Sequence, residues 1–121
     1  MNVLSPQRDE FLHQHPTCMV CRERLSIDPH EILRGQYRLD AICEPALWLA
    51  VCRRCHGRLD NAEEWPLVRQ VALKVFQDKL FSVGNVLHAV RRVCDNGRGP
   101  VVLDEDEVQV ALQQLVEEQS R

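Results

Sequence analysis

Several features of common protein classes are missing from this 121-residue sequence. No apolar run approaches the length of a membrane-spanning helix, and the N-terminus lacks the basic start and apolar core of a secretory signal. We therefore expect no membrane association and a location in the reducing cytoplasm, where paired cysteines usually bind metal rather than form disulfides. The sequence also lacks internal repeats and low-complexity segments, so we expect one small domain, with or without an appendage.

The sequence also lacks an excess of basic residues. It has 15 Lys+Arg against 18 Asp+Glu, and this net charge of −3 does not indicate nucleic-acid binding. In residues 1–60, however, all the basic residues are arginines, whereas acidic residues outnumber basic ones in residues 61–121. A phosphate-binding surface is therefore expected in the first half, although a solvated surface of mixed charge explains the same composition. The arginines predicted to contact phosphate are Arg34, Arg38, Arg53, Arg54 and Arg58.

Four of the six cysteines form two Cys-x-x-Cys pairs, Cys18 with Cys21 and Cys52 with Cys55. Two such pairs are the usual way to build a tetrahedral thiolate site for zinc. A chain of this length has a limited apolar core, so a structural metal would help it to fold. Buried free cysteines and a redox dithiol are the alternatives. The two remaining cysteines are most simply interpreted as buried thiols: Cys43 and Cys94.

The second half of the chain has the periodicity of helices. Apolar residues recur at three- and four-residue steps from Trp65 to Leu80, which predicts a helix over residues 63–80 with Pro66 in its first turn. Ser82 and Asp104 are suitable N-caps for two further helices. The buried faces predicted for these two helices are Val83, Val86, Leu87, Val90 and Val93, and Val108, Ala111, Leu112 and Leu115.

The first half is predicted to be mostly irregular. Residues 1–15 are interpreted as a short polar lead-in with at most one helical turn after Ser5-Pro6. The apolar run at residues 47–51 predicts a strand that ends at Cys52.

Polar residues that bind metals lie next to the cysteine pairs. His56 directly follows Cys55, and Asp60 shares its face if residues 53–61 form a helix, a spacing that suits two ligands of a divalent cation. A hairpin that carried His30 and Glu31 would bring them near His56. A lone histidine is more often structural, and that alternative remains open for both histidines.

These residues resemble the HNH endonuclease superfamily, and its small phage and prophage members in particular. The matching segments are HEILRG at 30–35 and LWLAVCRRCH at 47–56. The resemblance covers residues 17–61 and implies the ββα-metal fold, a β-hairpin and a helix around a metal. In zinc-bearing members, two Cys-x-x-Cys pairs clamp the hairpin to the helix.

The resemblance also implies site residues. The family's metal ligand after the last cysteine corresponds to His56, and Asp60 is a second candidate ligand. On the first strand the family has a ligand followed by a histidine base. Either His30 is the ligand and Glu31 the base, or His30 is the base and Asp28 supplies the ligand.

The motif departs from the family pattern at two positions, so the active site is degenerate. Pro29 precedes His30 and has no donor side chain. No asparagine lies between Glu31 and Cys52, and Leu47 stands near the place where the family has one.

The sequence therefore predicts an α+β fold with a lead-in at residues 1–15, a zinc-stabilised HNH-like unit at 16–61 and a helical extension at 62–121 packed on it. The resemblance implies a metal-dependent DNA endonuclease or nickase of phage type, acting in the host cytoplasm with structural Zn²⁺ and catalytic Mg²⁺ or a similar cation. The alternative is a non-catalytic zinc module that binds nucleic acid or a protein partner. The implied catalytic residues are His30, Glu31 and His56, and the implied ligands of the catalytic cation are His30, His56 and Asp60.

Overall fold

The computed structural model describes residues 5–33, 44–95 and 103–119. Within these ranges the chain forms five α-helices and a two-stranded antiparallel sheet, so the predicted α+β class is confirmed. The elements are α1 Ser5–Gln14, β1 Asp28–Glu31, a 3-10 turn Pro45–Leu47, β2 Trp48–Val51, α2 Arg53–Arg58, α3 Leu67–Gln77, α4 Val83–Asp95 and α5 Glu105–Gln119. The predicted site residues Arg34 and Arg38, and also Cys43, lie outside the described residues.

Strand β2 has a hydrogen-bonded partner along each of its two edges. On one edge it pairs with β1 in a register that places His30 opposite Leu49 and Pro29 opposite Ala50. On the other edge the carbonyl of Ala50 accepts a hydrogen bond from Met19 N–H at 2.9 Å. All four residues of β2 are buried, as expected for a strand covered on both faces. The strand predicted from the apolar run is therefore confirmed.

Helix α2 follows the hairpin directly and is shorter than the segment 53–61. Cys52 is its N-cap, and the sulfur accepts a hydrogen bond from Cys55 N–H. The helix ends at Arg58, because the buried Leu59 caps it and the Asn61 side chain starts a new turn by accepting from Glu63 N–H at 3.0 Å. Asp60 therefore lies beyond the helix, and the condition of a helix over residues 53–61 is not met.

Helix α3 is also shorter than the predicted segment 63–80. Pro66, which has no N–H, is the N-cap in an extended conformation, and the helix ends where the backbone of Asp78 becomes extended. The buried face includes Gln70 and Lys74, whereas Leu80 lies beyond the helix and is 76% exposed. The predicted apolar stripe was therefore wrong at its C-terminal end.

The other two predicted helices are confirmed as α4 and α5. Ser82 Oγ accepts from Asn85 N–H at 3.1 Å, and Asp104 Oδ1 accepts from Asp106 N–H at 2.9 Å, so both residues cap as expected. All predicted inward-facing residues are buried or packed against the core. Helix α3 packs on both α4 and α5.

Helix α1 is longer than the single turn expected. Its side chains form no clear apolar stripe, yet Phe11 is buried against the Trp48 ring with centroids 5.5 Å apart. This contact stabilises α1 on the hairpin. The buried apolar side chains of the hairpin and of α1, α3, α4 and α5 form one cluster. Across the described ranges, no helix combines the length and the apolar character needed to span a membrane.

Candidate metal centre and adjoining histidine pair

The two cysteine pairs come together in space. The sulfur atoms of Cys18, Cys21, Cys52 and Cys55 all lie within 4.8 Å of one another. A tetrahedral zinc site with Zn–S bonds of about 2.3 Å needs sulfurs about 3.8 Å apart, so small adjustments satisfy it. The predicted four-cysteine cluster is confirmed, and it is able to hold one zinc ion.

The first cysteine pair lies in a tight turn that is attached to the hairpin. Thr17 and Leu25 form an isolated antiparallel bridge at its base, and Arg22 N–H donates to the carbonyl of Cys18 at 3.0 Å. Arg22 has φ of 60°, a left-handed conformation that costs a non-glycine residue about 1 kcal/mol. The fold therefore holds some backbone strain at the turn that carries Cys21.

The protonation of the thiols also fits a cation site. Burial, followed by hydrogen bonding to Cys52, raises the pKa of Cys55 to about 12. Burial also acts to raise the pKa of Cys21, but hydrogen bonds from the backbone at Glu23 and Arg24 outweigh it and lower the pKa to about 7. Four clustered thiols cannot all ionise without a nearby cation, so zinc binding would release protons.

Two histidines face each other, and one of them directly follows Cys55 in the chain. His30 on β1 and His56 on α2 have ring centroids 5.1 Å apart in an edge-to-face arrangement. His30 is 1% exposed, whereas the side chain of His56 is 33% exposed. The structure thus brings together the two predicted histidines, with His56 on the solvent side.

Each of these rings has a polar partner. Asp28 Oδ2 lies 3.3 Å from His56 Nδ1, and Gln70 Oε1 lies 2.9 Å from His30 Nε2. Asp28 and His30 are two residues apart on β1 and so share one face of the strand. Arg53 approaches the other oxygen of Asp28 at 3.6 Å. The result is a polar cluster of Asp28, His30, His56 and Gln70 between β1, α2 and α3.

The structure places Glu31 outside this cluster. Glu31 lies on the opposite face of β1, where its Oε1 is 3.5 Å from Arg8 Nη2. Asp60 is exposed in the turn after α2. Within the residues that the structure describes, the four cysteines are the one group of three or more His, Cys, Asp or Glu side chains whose ligand atoms converge.

An arginine-rich surface lies next to the cysteines. Arg24, Arg54 and Arg58 line a cavity of about 290 Å³ together with Glu23, Cys21 and Cys55. Arg58 also bonds Glu64 at 2.6 Å, while the Arg53 side chain is 77% exposed. Arg54 and Arg58 were predicted to contact phosphate; Arg24 was not.

The sequence contained signals for Gln70, which was missed, and for Asp28, which was named only as an alternative ligand. Asp28 stands two positions before His30, so the period of a strand already places both on one face. Gln70 and Lys74 lie four residues apart among apolar residues of α3, where polar side chains need buried partners. The buried partner of Lys74 is Asp78, whose Oδ2 lies 2.8 Å from Lys74 Nζ.

No protein-family model, curated protein or solved structure matches this chain.

Proposed function

We propose that this protein is a metal-dependent DNA endonuclease or nickase of HNH type whose four cysteines hold a structural zinc ion. The observation that carries the proposal is the pairing of His30 with His56, at 5.1 Å between ring centroids, with His56 directly after Cys55 in the chain. The chain order of hairpin and then helix, with Cys52 and Cys55 at their junction, also supports it.

The partners of the two rings suggest their roles. A histidine that binds a metal commonly has its other nitrogen held by a carboxylate, and Asp28 stands in that relation to His56 Nδ1. His56 would therefore bind the catalytic cation through Nε2. His30, on the far side of the ring pair, is the candidate general base.

The kind of ligand atom at the proposed site indicates which cation it would bind. Mg²⁺ prefers carboxylate and water oxygens, whereas imidazole nitrogens suit transition metals. The imidazole ligand His56 therefore fits a transition metal such as Mn²⁺ or Ni²⁺ better than Mg²⁺. When bound, such a cation stabilises negative charge on the scissile phosphate and on the leaving oxygen.

The arginine surface supplies a place for the DNA backbone. Arg24, Arg54 and Arg58 lie around one cavity, and Arg53 extends from the same helix beside Asp28. Phosphate contacts of this kind position a duplex without reading its sequence.

A plasmid-nicking assay with Mg²⁺, Mn²⁺ or Ni²⁺ tests the proposal. We expect nicking by wild type with Mn²⁺ or Ni²⁺ and a loss of about 100-fold or more in His56→Ala, the scale of a lost catalytic group. His88→Ala removes an exposed histidine on α4 and is the matched control, which should nick like wild type. Absence of nicking by wild type with all three cations would overturn the proposal.

A second candidate function is a non-catalytic zinc module that binds nucleic acid or a protein partner. The observation that favours it is the burial of His30, which at 1% exposure and with a hydrogen bond to Gln70 resembles a core histidine. Salt-dependent DNA binding without cleavage would select a nucleic-acid module. Absence of both binding and cleavage would select a protein-binding module.

A further inference from the structure

The side-chain amide of Gln70 is held at three points. Its Nε2 lies 3.1 Å from the carbonyl oxygen of Leu59 and 2.9 Å from that of Trp65, and its Oε1 lies 2.9 Å from His30 Nε2. Gln70 is 6% exposed, so water does not replace these partners readily.

These contacts determine which way the amide faces. Carbonyl oxygens only accept hydrogen bonds, so the NH₂ group of Gln70 must point at Leu59 and Trp65. The opposite orientation would place Oε1 against two carbonyl oxygens and would leave both of them without this buried donor. Oε1 therefore faces His30.

The orientation of Gln70 in turn determines where His30 carries its proton. Oε1 is an acceptor, so the facing Nε2 of His30 must be the N–H of the ring. In a neutral imidazole only one nitrogen is protonated, and the lone pair is then on Nδ1.

We infer that Gln70 is a positioning residue that holds His30 in its Nε2–H tautomer and thereby makes Nδ1 the nitrogen that takes up a proton or binds a cation. Helix α3 thus completes a site whose other members lie on β1 and α2. The tautomer stands on the hydrogen bonds alone, whereas its catalytic consequence rests on the proposed function.

The spectroscopic test uses ¹⁵N-labelled, zinc-loaded full-length protein in mildly alkaline buffer, where histidines are neutral. Long-range ¹H–¹⁵N spectra distinguish a protonated from an unprotonated ring nitrogen, and His30→Asn assigns the His30 signals by their disappearance. We expect wild type to show protonated Nε2 and unprotonated Nδ1. The reverse pattern in wild type would overturn the inference without any further variant.

Two variants test whether Gln70 is the cause. Gln70→Met keeps the length of the side chain but removes the acceptor, so His30 should populate both tautomers. Gln70→Glu loses the donor to the Leu59 and Trp65 carbonyls but keeps an acceptor oxygen for His30, so Nε2 should remain protonated in the folded variant. Zinc content and circular dichroism verify that each variant is folded. A folded Gln70→Met with an unchanged His30 spectrum would show that Gln70 does not set the tautomer.

The nicking assay then separates this inference from the proposed function. We expect kcat to fall about tenfold in Gln70→Met, the scale of a lost positioning partner, with KM nearly unchanged. If wild type nicks and Gln70→Met shifts the tautomer without lowering kcat, the positioning role is wrong. If wild type does not nick, the proposed function fails and the catalytic role with it, while the wild-type spectrum still decides the tautomer.

Discussion

The backbone N–H of Met19 donates to the carbonyl oxygen of Ala50 at 2.9 Å. The N–H of Ala50 donates in return to the Met19 sulfur at 3.4 Å. Met19 follows Cys18 directly, and Ala50 stands two positions before Cys52. This reciprocal contact therefore brings together two cysteine pairs that are far apart in sequence, and the hairpin itself aligns the cluster.

We expect the purified protein to contain one zinc ion per chain and to lose its fold when the zinc is removed. Structural zinc contributes on the order of 10 kcal/mol in small domains. Elemental analysis and thermal denaturation check this for wild type and for Cys52→Ser, which removes one ligand. Cys94→Ser changes a buried cysteine outside the cluster and should keep the full zinc content.

Two results would contradict a structural zinc site. One is protein without zinc after purification in the absence of chelators. The other is a disulfide between any two of the four clustered cysteines in reducing buffer.

The arginines of α2 should carry the DNA contacts. Replacing Arg53 and Arg54 with glutamine should weaken duplex binding and lower the slope of log K against log salt by about 0.9 for each lost phosphate contact. Fluorescence anisotropy at several salt concentrations measures both quantities. The control protein carries both Lys79→Gln and Arg91→Gln. These substitutions make the same change in charge at exposed positions on other segments. Equal effects in the two proteins would mean that the charge acts at long range and that α2 is not the contact surface.

The buried ion pair of Lys74 and Asp78 should be sensitive to loss of one partner. Lys74 Nζ lies 2.8 Å from Asp78 Oδ2, and the two side chains are 0% and 1% exposed. Asp78→Asn would leave a buried ammonium without its counter-charge, which typically costs about 3–5 kcal/mol. Urea denaturation should show this loss, whereas Asp9→Asn on the exposed surface of α1 should stay within about 0.5 kcal/mol of wild type. A small effect of Asp78→Asn would mean that Lys74 is neutral in the folded protein.

His15 should make the protein less stable in acid. Burial lowers the pKa of His15, and Lys74 adds to this effect while Asp78 opposes it. Because the folded pKa lies below 6.5, the unfolded chain binds the proton more readily. The contribution of His15 is therefore fully present above pH 6.5 and is lost as the pH falls through the folded pKa.

The measurement is the free energy of unfolding in urea between about pH 5 and 8, for wild type and for His15→Gln. The difference between the two proteins should shrink as the pH falls. His13→Gln changes an exposed histidine two residues earlier, in the last turn of α1, and should follow wild type. A difference that stays constant with pH would mean that His15 has the same pKa in both states.

The sequence was sufficient where local patterns determine the structure. The apolar run of β2 and the capping residues Ser82 and Asp104 gave the correct elements, because a strand covered on both faces and a helix start each leave a local signature. The two cysteine pairs likewise predicted their own clustering, since two Cys-x-x-Cys pairs are the usual spacing of a four-thiolate site.

The sequence was insufficient where a side chain is determined by a distant partner. Gln70 and Lys74 lie on the buried face of α3, because His30 and Asp78 are their hydrogen-bond partners there. A pattern that assigns polar residues to solvent cannot anticipate such partners. Helix α1 was missed for a related reason, because its stability depends on the contact between Phe11 and Trp48.

The two carboxylates of β1 should differ in their effect on cleavage. Asp28 lies 3.3 Å from His56 Nδ1, whereas Glu31 lies on the other face of the strand beside Arg8. Asp28→Asn should lower the nicking rate about 10- to 100-fold, because a residue that orients a metal ligand typically contributes this much. Glu31→Gln makes the same chemical change three residues away and should leave the rate within about threefold of wild type. Both rates are measured at saturating Mn²⁺, so that a loss of cation affinity is not mistaken for a loss of catalysis. A larger loss in Glu31→Gln than in Asp28→Asn would indicate that Glu31 is the general base. Asp28 would then be only a structural partner of Arg53 and His56.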